Sequence, residues 1–466
     1  MFDFVKTIKK EWFLIALLLI LGIATRFYHF GQPNQIVFDE IYFSKFVTDY
    51  FKGEYYFDIH PPLAKLLMAG WAKITGAEAP ITFDFKNIGK EYTDDFYKYL
   101  RFIVSIFGAL LPFIIYLFTK ELSKNKIAAF LAGLFVVFDN TLLTQSRLIL
   151  MDVFLLFFGF LGLWLLLIVK KKRLFSGSWF WFLILAGLSL TAGFAVKWTG
   201  LIFIGVAGFI LLFDWLKTRQ WKAFLSQAII LFFVGFSFYY FIFAIHLNLL
   251  SYSGDGDAFM TPSFQKTLIG NKYYDDSNTK PANTFLKFLE LNTVMYTANA
   301  NLKAVHSYGS QWYTWPFLLR PIYYWFGAGE GNQSARIYLQ GNPFIWWLGL
   351  VVFVYWLLWL VRQFFKKVKD SDFFPILLLV VGYIGNMLAY VFVDRVAFLY
   401  HYFPSLLFLI VGLAVFFAKY FSKSKIVLFG FVLIIILFFQ FFAPLSYGLP
   451  LTETSFQEKV WFKSWQ

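Results

Sequence analysis

Long apolar segments separated by short polar connections occupy most of this sequence. A helix needs about 20 mostly apolar residues to cross the core of a bilayer, and eleven segments come close to that length or exceed it. We therefore predict an all-α polytopic membrane protein with about eleven transmembrane helices. One more or one fewer is possible, because the third segment is short and 178–216 can be divided differently. The predicted spans are 12–30, 100–119, 127–143, 148–169, 178–196, 199–216, 223–246, 343–361, 373–393, 398–418 and 426–443.

Lys and Arg are concentrated in alternate connections between these spans. Positive charge in short loops marks the cytoplasmic side of a membrane protein, and the clusters recur at every second connection. This alternation predicts a cytoplasmic N-terminus and a C-terminus on the outer face. The clusters are Lys6/Lys9/Lys10, Lys120/Lys124/Lys126, Lys170–Arg173, Lys217/Arg219/Lys222, Arg362/Lys366/Lys367/Lys369 and Lys419/Lys423/Lys425.

Two long segments, 31–98 and 247–342, then lie on the outer side of the membrane. We expect an N-terminal region, 1–246, that carries a catalytic first outer loop. The C-terminal region, 247–466, would hold the second outer loop and four further spans. Two stretches of the first loop have the apolar periodicity of amphipathic helices in the membrane interface: 41–53 and 62–74.

The composition agrees with a membrane protein. Of 466 residues, 59% are hydrophobic and 15% are charged, whereas a soluble domain has roughly 45–50% apolar and about 25% charged residues. The net charge of +14 is divided among the loop clusters, so we expect no nucleic-acid partner. The chain has no Cys, which excludes disulfides, thiolate metal sites and Cys nucleophiles.

The first outer loop begins with adjacent carboxylates, Asp39 and Glu40. At a membrane surface such a pair could act as a base, bind a cation or position a hydroxyl. The pair could equally form the N-terminus of a helix, where acids are favoured. His60 precedes two prolines that suit a rigid turn into a helix, and it is either a hydrogen-bonding loop residue or a site residue.

Ionisable residues at the ends of spans are stronger candidates. Such residues are costly in a bilayer, so they usually face a cavity or a partner, although each alone could extend to the interface. The convergence of four Arg and one Lys on the outer face predicts a site for an anionic lipid phosphate. These ionisable residues are Arg26, Arg101, Arg147, Asp152, Lys197, Asp394 and Arg395.

The second outer loop contains two further motifs. Gly254-Asp255-Gly256-Asp257 has the Asp/Gly alternation of a calcium loop but lacks the later ligands of an EF-hand. The aromatic run from His306 to Pro316 is either an interfacial belt or a platform for a sugar or lipid. His401, just inside the tenth span, belongs to a motif that favours helix packing.

Taken together, these segments resemble the first-loop signature and later motifs of the protein O-mannosyltransferases, membrane glycosyltransferases of the C-type architecture. The matches follow the order of the family from about residue 26 to 404. They are Val37–Glu40, Phe57–Leu66, Gln145–Asp152, Val196–Gly200, Gly256–Gln265, His306–Pro316, Arg320–Pro321 and Tyr400–Pro404.

The resemblance implies transfer of mannose, with inversion, from a polyprenyl (dolichyl-type) phosphate carrier to Ser or Thr of a secreted or membrane protein. Asp39 matches the acidic residue taken as the catalytic base, with Glu40 beside it, and Arg26 and Arg101 match family arginines. The 247–342 loop has no room for the large sugar-binding-type insert of fungal and animal members, as in bacterial members, so we expect location in the cell membrane.

A single inverting displacement needs a base at the acceptor and positive charge at the leaving phosphate. A phosphodiester already leaves well, so we expect no metal or other cofactor. Partners would be membrane lipids, the lipid-linked sugar and an acceptor protein. The expected donor-phosphate residues are Arg26, Arg101, Arg147 and Lys197, and the expected site-shaping residues are His60, Asp152, Trp198, His306, Arg395 and His401.

The residues considered one by one are also compatible with two other functions. A related lipid-carrier glycosyltransferase, such as one that adds aminoarabinose to a lipid or glycan, would share the acidic loop and the basic phosphate site. A transporter of lipid-linked sugars would usually show repeats and charges near the midplane. The sequence has no visible repeat, and its charges lie at the outer ends of spans.

Overall fold

A computed structural model of the chain describes residues 2–83, 85–302, 306–366 and 370–466, with the backbone alone for 2–10. Of the basic residues used to predict orientation, Lys367 and Lys369 and the side chains of Lys6, Lys9 and Lys10 lie outside this description. The helices are α1 Phe2–Phe27, α2 Glu40–Lys52, α3 Leu63–Ile74, α4 Phe96–Ser123, α5 Lys126–Val137, α6 Asn140–Gln145, α7 Asp152–Val169, α8 Gly177–Val196, α9 Leu201–Thr218, α10 Trp221–Leu249, α11 Pro262–Gln265, α12 Thr284–Ala300, α13 Pro343–Phe364, α14 Phe373–Ala389, α15 Phe403–Phe421, α16 Lys425–Tyr447 and α17 Glu453–Gln457.

Nine helical segments in the described part of the chain are long and apolar enough to cross a membrane. They coincide with nine of the eleven predicted spans, and the predicted division of 178–216 is that of α8 and α9. The first predicted span lies within α1, which ends at Phe27 rather than at residue 30. The predicted helical, membrane-spanning fold is therefore confirmed, while the count of eleven stays a prediction.

The third predicted span, 127–143, is wrong in its extent. Helix α5 ends at Val137, and Asp139 caps the short helix α6 by accepting a hydrogen bond from the amide of Leu142 at 3.0 Å. The same carboxylate accepts from the indole of Trp346 at 2.7 Å. The sequence stays apolar here although the helix is interrupted. The interruption is tolerated because the buried Asp139 accepts a hydrogen bond from a backbone amide that the break leaves without a partner.

Helix α15 lies at the centre of the bundle. In the apolar stretch that contains it, 94% of the residues are buried, against 11% in the apolar stretch of α10. Large apolar side chains such as Phe232 and Phe429 are exposed on α10 and α16. Such a surface is unfavourable in water but suits lipid.

The basic connections collect at one end of the bundle. Glu11, near the start of α1, pairs with Lys120 at the end of α4 and with Lys126 at the start of α5, the latter at 2.6 Å. Lys171, after α7, pairs with Glu121 of α4 at 2.6 Å. Helix α4 has 28 residues, so its first turn lies about 40 Å away. The connections after α4 and after α7 thus lie at the same end of the bundle, and the alternation of all the loops and the end that faces the cytoplasm stay predictions.

The two long loops lie at the other end and contain more structure than the sequence predicted. Helices α2 and α3 match the predicted amphipathic stretches, while α12 and a three-stranded antiparallel sheet, whose third strand follows α16, were not predicted. The sheet has the order β1-β2-β3. Its strands are β1 Ile322–Ala328, β2 Gln333–Leu339 and β3 Pro450–Thr452.

Candidate active site

A cavity of about 270 Å³ lies between the start of α2, the loop before α3 and the turn before α15. It brings together four of the predicted site residues, which are Asp39, His60, Arg395 and His401. It also contains two acidic or phenolic side chains that the sequence did not single out, Asp58 and Tyr400. Segments far apart in the sequence thus meet around one cavity.

Asp39 has an unpaired carboxylate. The residue is the N-cap of α2 by position, but its backbone is helical (φ −69°, ψ 0°) and its side chain makes no capping hydrogen bond. No other side chain or amide in the described ranges donates to it. Burial raises the pKa of this carboxyl to about 7, opposed by Lys197 and assisted by Asp152. This carboxyl group can therefore change protonation near neutral pH and is available to a substrate.

Glu40, its neighbour, is fully buried, and protein donors contact both oxygens of its carboxylate. Its carboxylate accepts two hydrogen bonds from Arg101, from Nε at 2.8 Å and from a terminal nitrogen at 2.7 Å. It also accepts from the amides of Val37 at 2.9 Å and Ile149 at 2.8 Å. Glu40 therefore joins the first loop to the segment before α7, and it does not line the cavity.

Arg101 is not free to bind a phosphate. Besides its two bonds to Glu40, it donates to the carbonyls of Gly31 at 3.1 Å, Pro33 at 2.6 Å and Gln35 at 2.9 Å. These contacts use all five of its N–H groups. The expectation that Arg101 holds the donor phosphate is therefore corrected: this residue orders the loop that carries Asp39.

Arg26 and Arg147 are likewise committed to helix ends. Arg26 donates to the carbonyls of Val136 and Val137 at the end of α5, both at 2.9 Å. Arg147 donates to the carbonyls of Tyr28 at 2.7 Å and His29 at 2.8 Å, just after α1. The last carbonyls of a helix have no partner within it, and in a bundle without water they need one. These contacts give both arginines a structural role at helix ends, and the predicted phosphate contacts of Arg26 and Arg147 stay a prediction.

Lys197 and Asp152 form a buried ion pair at 2.8 Å. Gln145 donates to the same carboxylate at 2.7 Å, and the Lys197 ammonium lies 4.9 Å from the ring centre of Tyr400, a residue of the cavity. The tight turn after Lys197 requires Gly200, whose added Cβ would lie 2.6 Å from the backbone of Gly193. The predicted cation thus lies directly behind the cavity wall, balanced by an acid.

The loop before α3 is held by a second buried ion pair, between Asp58 and Lys65. Lys65 also donates to the carbonyl of His60 at 3.0 Å, and Asp58 accepts from the His60 amide at 3.2 Å. Burial, with the nearby charges of Lys197 and Lys65, lowers the pKa of His60 well below its ordinary value. His60 therefore faces the cavity as a neutral imidazole.

Arg395 lies where three cavities meet. Its guanidinium contacts Asn299 of α12, and it lines the Asp39 cavity and two larger ones. One, about 850 Å³, is a mostly apolar groove between α9 and α14 that includes Trp198. The other, about 1000 Å³, has a more polar lining, so it is called the polar cavity, and it includes His306. The predicted site-shaping residues other than Asp152 are thus distributed over these three spaces.

His401 and the Gly254–Asp257 motif have local explanations. The Nδ1 atom of His401 accepts from the amide of Phe398 at 3.0 Å, which orders the turn before α15. Asp257 accepts from the Gly254 amide at 3.1 Å and from the side chains of Ser253 and Asn271, so protein donors fill the place of a calcium ion. No group of three or more His, Cys, Asp or Glu side chains in the described ranges is arranged to hold a metal, and metal independence stays a prediction.

The sequence has two matches to family models. The family described as dolichyl-phosphate-mannose-protein mannosyltransferase matches residues 16–251, and the C-terminal four TMM region of protein-O-mannosyltransferase matches residues 284–465. The chain belongs to the protein O-mannosyltransferase family. Among curated members, mannosyltransferase 4 of Schizosaccharomyces pombe is 34% identical over 307 residues, 62% of this chain and 38% of that protein. Protein O-mannosyl-transferase 2 of Danio rerio is 30% identical over 347 residues, 72% and 43% respectively. The chain therefore spans less than half the length of these family members.

Solved structures support the family fold. The protein O-mannosyltransferase Pmt1-Pmt2 complex of S. cerevisiae, bound to its sugar donor, matches with a TM-score of 0.89 and 22% identity over 98% of this chain and 93% of that one. The archaeal oligosaccharyltransferase AglB of Archaeoglobus fulgidus matches with a TM-score of 0.58 and 14% identity over 97% and 57%. ArnT of Cupriavidus metallidurans, bound to undecaprenyl phosphate, gives 0.51 and 11% over 91% and 62%. The predicted C-type glycosyltransferase fold is confirmed.

Proposed function

We propose that this protein transfers mannose from a polyprenyl-phosphate carrier to the hydroxyl of Ser or Thr in an acceptor protein, with inversion at the anomeric carbon. The observation that carries the proposal is the Asp39 carboxylate, which has no partner within the described chain and faces a cavity. Family membership supplies the substrate class. The cavity volume of about 270 Å³ is of the size that a single sugar residue needs.

The donor would lie across the boundary between the apolar groove and the Asp39 cavity. The groove between α9 and α14, lined by residues such as Ile202 and Val381, suits a polyprenyl chain. Arg395 lies where this groove reaches the cavity, and guanidinium groups bind phosphate oxygens in a bidentate way. We therefore assign the donor phosphate to Arg395, with the field of Lys197 behind it.

The reaction needs one proton transfer and one displacement. Asp39 accepts the proton of the acceptor hydroxyl as its oxygen attacks the anomeric carbon, and the bond to the carrier phosphate breaks with both electrons on the phosphate. The products are the mannosylated protein, a protonated Asp39 and the anionic carrier phosphate, which Arg395 stabilises. Neutral His60 can donate a hydrogen bond without competing for the phosphate.

The acceptor would approach through the polar cavity of about 1000 Å³, which joins the Asp39 cavity at Arg395 and Val396. Gln311 and Ser310 on its wall offer hydrogen bonds to an extended peptide, and Trp312 adds an aromatic surface. We propose that this end of the bundle faces the outside of the cell membrane, because the basic clusters lie at the opposite end. With a cation from the protein at the phosphate, the reaction needs no metal.

An assay with the purified protein tests this proposal. The protein in lipid nanodiscs is given polyprenyl-phosphate-mannose and a Ser/Thr peptide, with and without a metal chelator. We expect an α-mannosylated peptide in both cases. Transfer to a glycolipid but not to the peptide would favour the aminoarabinose-transferase type of function, and loss of activity with the chelator would contradict the metal-independent mechanism.

A further inference from the structure

Two aromatic rings hold the residue that precedes Asp39. Phe38 has a φ of +50°, in the left-handed region that residues other than Gly rarely adopt. Its ring stacks on Tyr324 with the ring centres 4.1 Å apart and an angle of 9° between the planes. Both side chains are buried. The unfavourable backbone conformation is therefore found where a stacked partner from another loop fixes the side chain.

A bulge in β1 directs Tyr324 toward the site. The register of β1 against β2 shifts between Tyr323 and Trp325, which leaves Tyr324 as the extra residue. Side chains normally alternate between the two faces of a strand, but here Tyr324 and Trp325 are both buried. Trp325 donates to the side chain of Gln35 at 2.8 Å. The bulge thus turns two consecutive side chains onto the segment that contains Phe38.

The hydroxyl of Tyr324 is fixed as well. It donates to the Gln145 side-chain oxygen at 3.0 Å, and Gln145 donates in turn to Asp152, the partner of Lys197. The ring of Tyr324 is therefore held from both ends, by Phe38 at the first loop and by Gln145 at α6. The hydroxyl is committed to Gln145 and leaves Asp39 without a partner.

We propose that Tyr324 is a positioning residue for Asp39. Its ring keeps Phe38 left-handed, and this conformation starts α2 with the Asp39 side chain directed into the cavity and not onto the amides of the helix. Without the ring, Phe38 relaxes toward an extended conformation. Asp39 then takes the ordinary capping position, where its carboxylate accepts backbone hydrogen bonds. This inference rests on the proposed function, because it assumes that Asp39 acts as the base.

The test compares Tyr324→Leu with Tyr324→Phe and with Tyr323→Ala, a control that removes a ring of the same strand. A misplaced catalytic group can cost on the order of 10²-fold, so we expect Tyr324→Leu to lower kcat by that factor with little change in the KM for the donor. In the pH–rate profile of Tyr324→Leu, the fall in rate on the acid side should also move to lower pH. The reason is that backbone hydrogen bonds to a capping carboxylate lower its pKa. Tyr324→Phe keeps the ring and should lose less than about tenfold, the effect of one hydrogen bond.

A double substitution separates positioning from loss of fold. If the two rings act as one unit, Phe38→Leu combined with Tyr324→Leu should be no slower than either single variant. The inference would be overturned if the losses of kcat in the two single variants add up in the double variant. It would also be overturned if Tyr324→Leu has the kcat and the acid side of the pH–rate profile of the wild type. If Tyr324→Leu does not fold, Tyr324→Phe and Phe38→Leu still decide: equal losses in these two variants would contradict a role for the ring. An inactive wild-type protein would instead refute the proposed function itself.

Discussion

At the scale of single residues, Asp39 and Glu40 show how neighbouring carboxylates acquire different roles. Glu40 receives hydrogen bonds from Arg101 and from two backbone amides, so its carboxylate is occupied by the protein. Asp39 receives none within the described ranges and faces a cavity. Such separation of environments is how a protein obtains one structural acid and one that titrates near pH 7.

The environment of Asp39 predicts the pH dependence of the enzyme. Its pKa is raised to about 7, and only the ionised form can accept a proton. The value of kcat/KM should therefore fall tenfold per pH unit below about pH 7 and level off above it, since this parameter reports the free enzyme. Initial rates with the peptide acceptor from pH 5 to 9 provide the measurement. A rate that is flat down to pH 5 would exclude a base with this pKa.

Arg395 is predicted to bind the donor phosphate, and its removal should weaken donor binding. A hydrogen bond to a charged group is worth about 1.5–3 kcal/mol, so Arg395→Ala should raise the Kd for polyprenyl phosphate roughly 10- to 100-fold. Titration calorimetry in nanodiscs measures this Kd. Arg320→Ala, which removes a cation that lines the polar cavity but neither the apolar groove nor the Asp39 cavity, serves as control. Equal Kd values for the wild type and Arg395→Ala would place the phosphate elsewhere.

At the scale of helices and strands, buried arginines complete the ends of α1 and α5. Hydropathy predicted the spans well because lipid demands long apolar helices. It could not show whether an Arg at a helix end faces a cavity or the carbonyls of a neighbouring helix, because the two have the same sequence pattern. The hairpin of β1 and β2 was missed for a related reason: its aromatic residues look like an interfacial belt. Residues Gly329–Asn332, between the strands, are the one local signal that could have revealed the turn.

The helix-end role of Arg147 has a measurable consequence. Arg147→Met keeps the length of the side chain but leaves the carbonyls of Tyr28 and His29 without donors, at a cost of about 1–3 kcal/mol for each unsatisfied group. We expect a lower melting temperature in nanodiscs and a donor Kd equal to that of the wild type. If the variant melts normally but binds the donor weakly, Arg147 contacts the phosphate as the sequence alone had suggested.

At the scale of the whole molecule, three cavities meet at one end of the bundle, and the described basic connections after α4 and α7 lie at the other. The motifs around the site could be identified from the sequence because each is a short contiguous segment. Their meeting point at Arg395, and the contact of Tyr324 with Phe38, depend on long-range packing that no local pattern encodes. The separation of charge also predicts the orientation of the site.

Cysteine labelling measures that orientation. Because the chain has no Cys, single cysteines at the exposed positions Glu78 and Lys280 of the site end and Arg173 of the basic end can be read without background. An impermeant thiol reagent added to intact cells should label the first two, and it should label Arg173→Cys only after lysis. The reverse pattern would place the site in the cytoplasm.

The central claim is that Asp39 is the general base. Asp39→Asn keeps the size of the side chain and its ability to cap a helix but cannot accept the proton. A positioned base typically contributes about 10²–10⁴-fold, so turnover of the Ser/Thr peptide at saturating polyprenyl-phosphate-mannose should fall by that factor while donor binding is unchanged. Turnover close to that of the wild type would contradict the account and leave Asp39 with a structural role only.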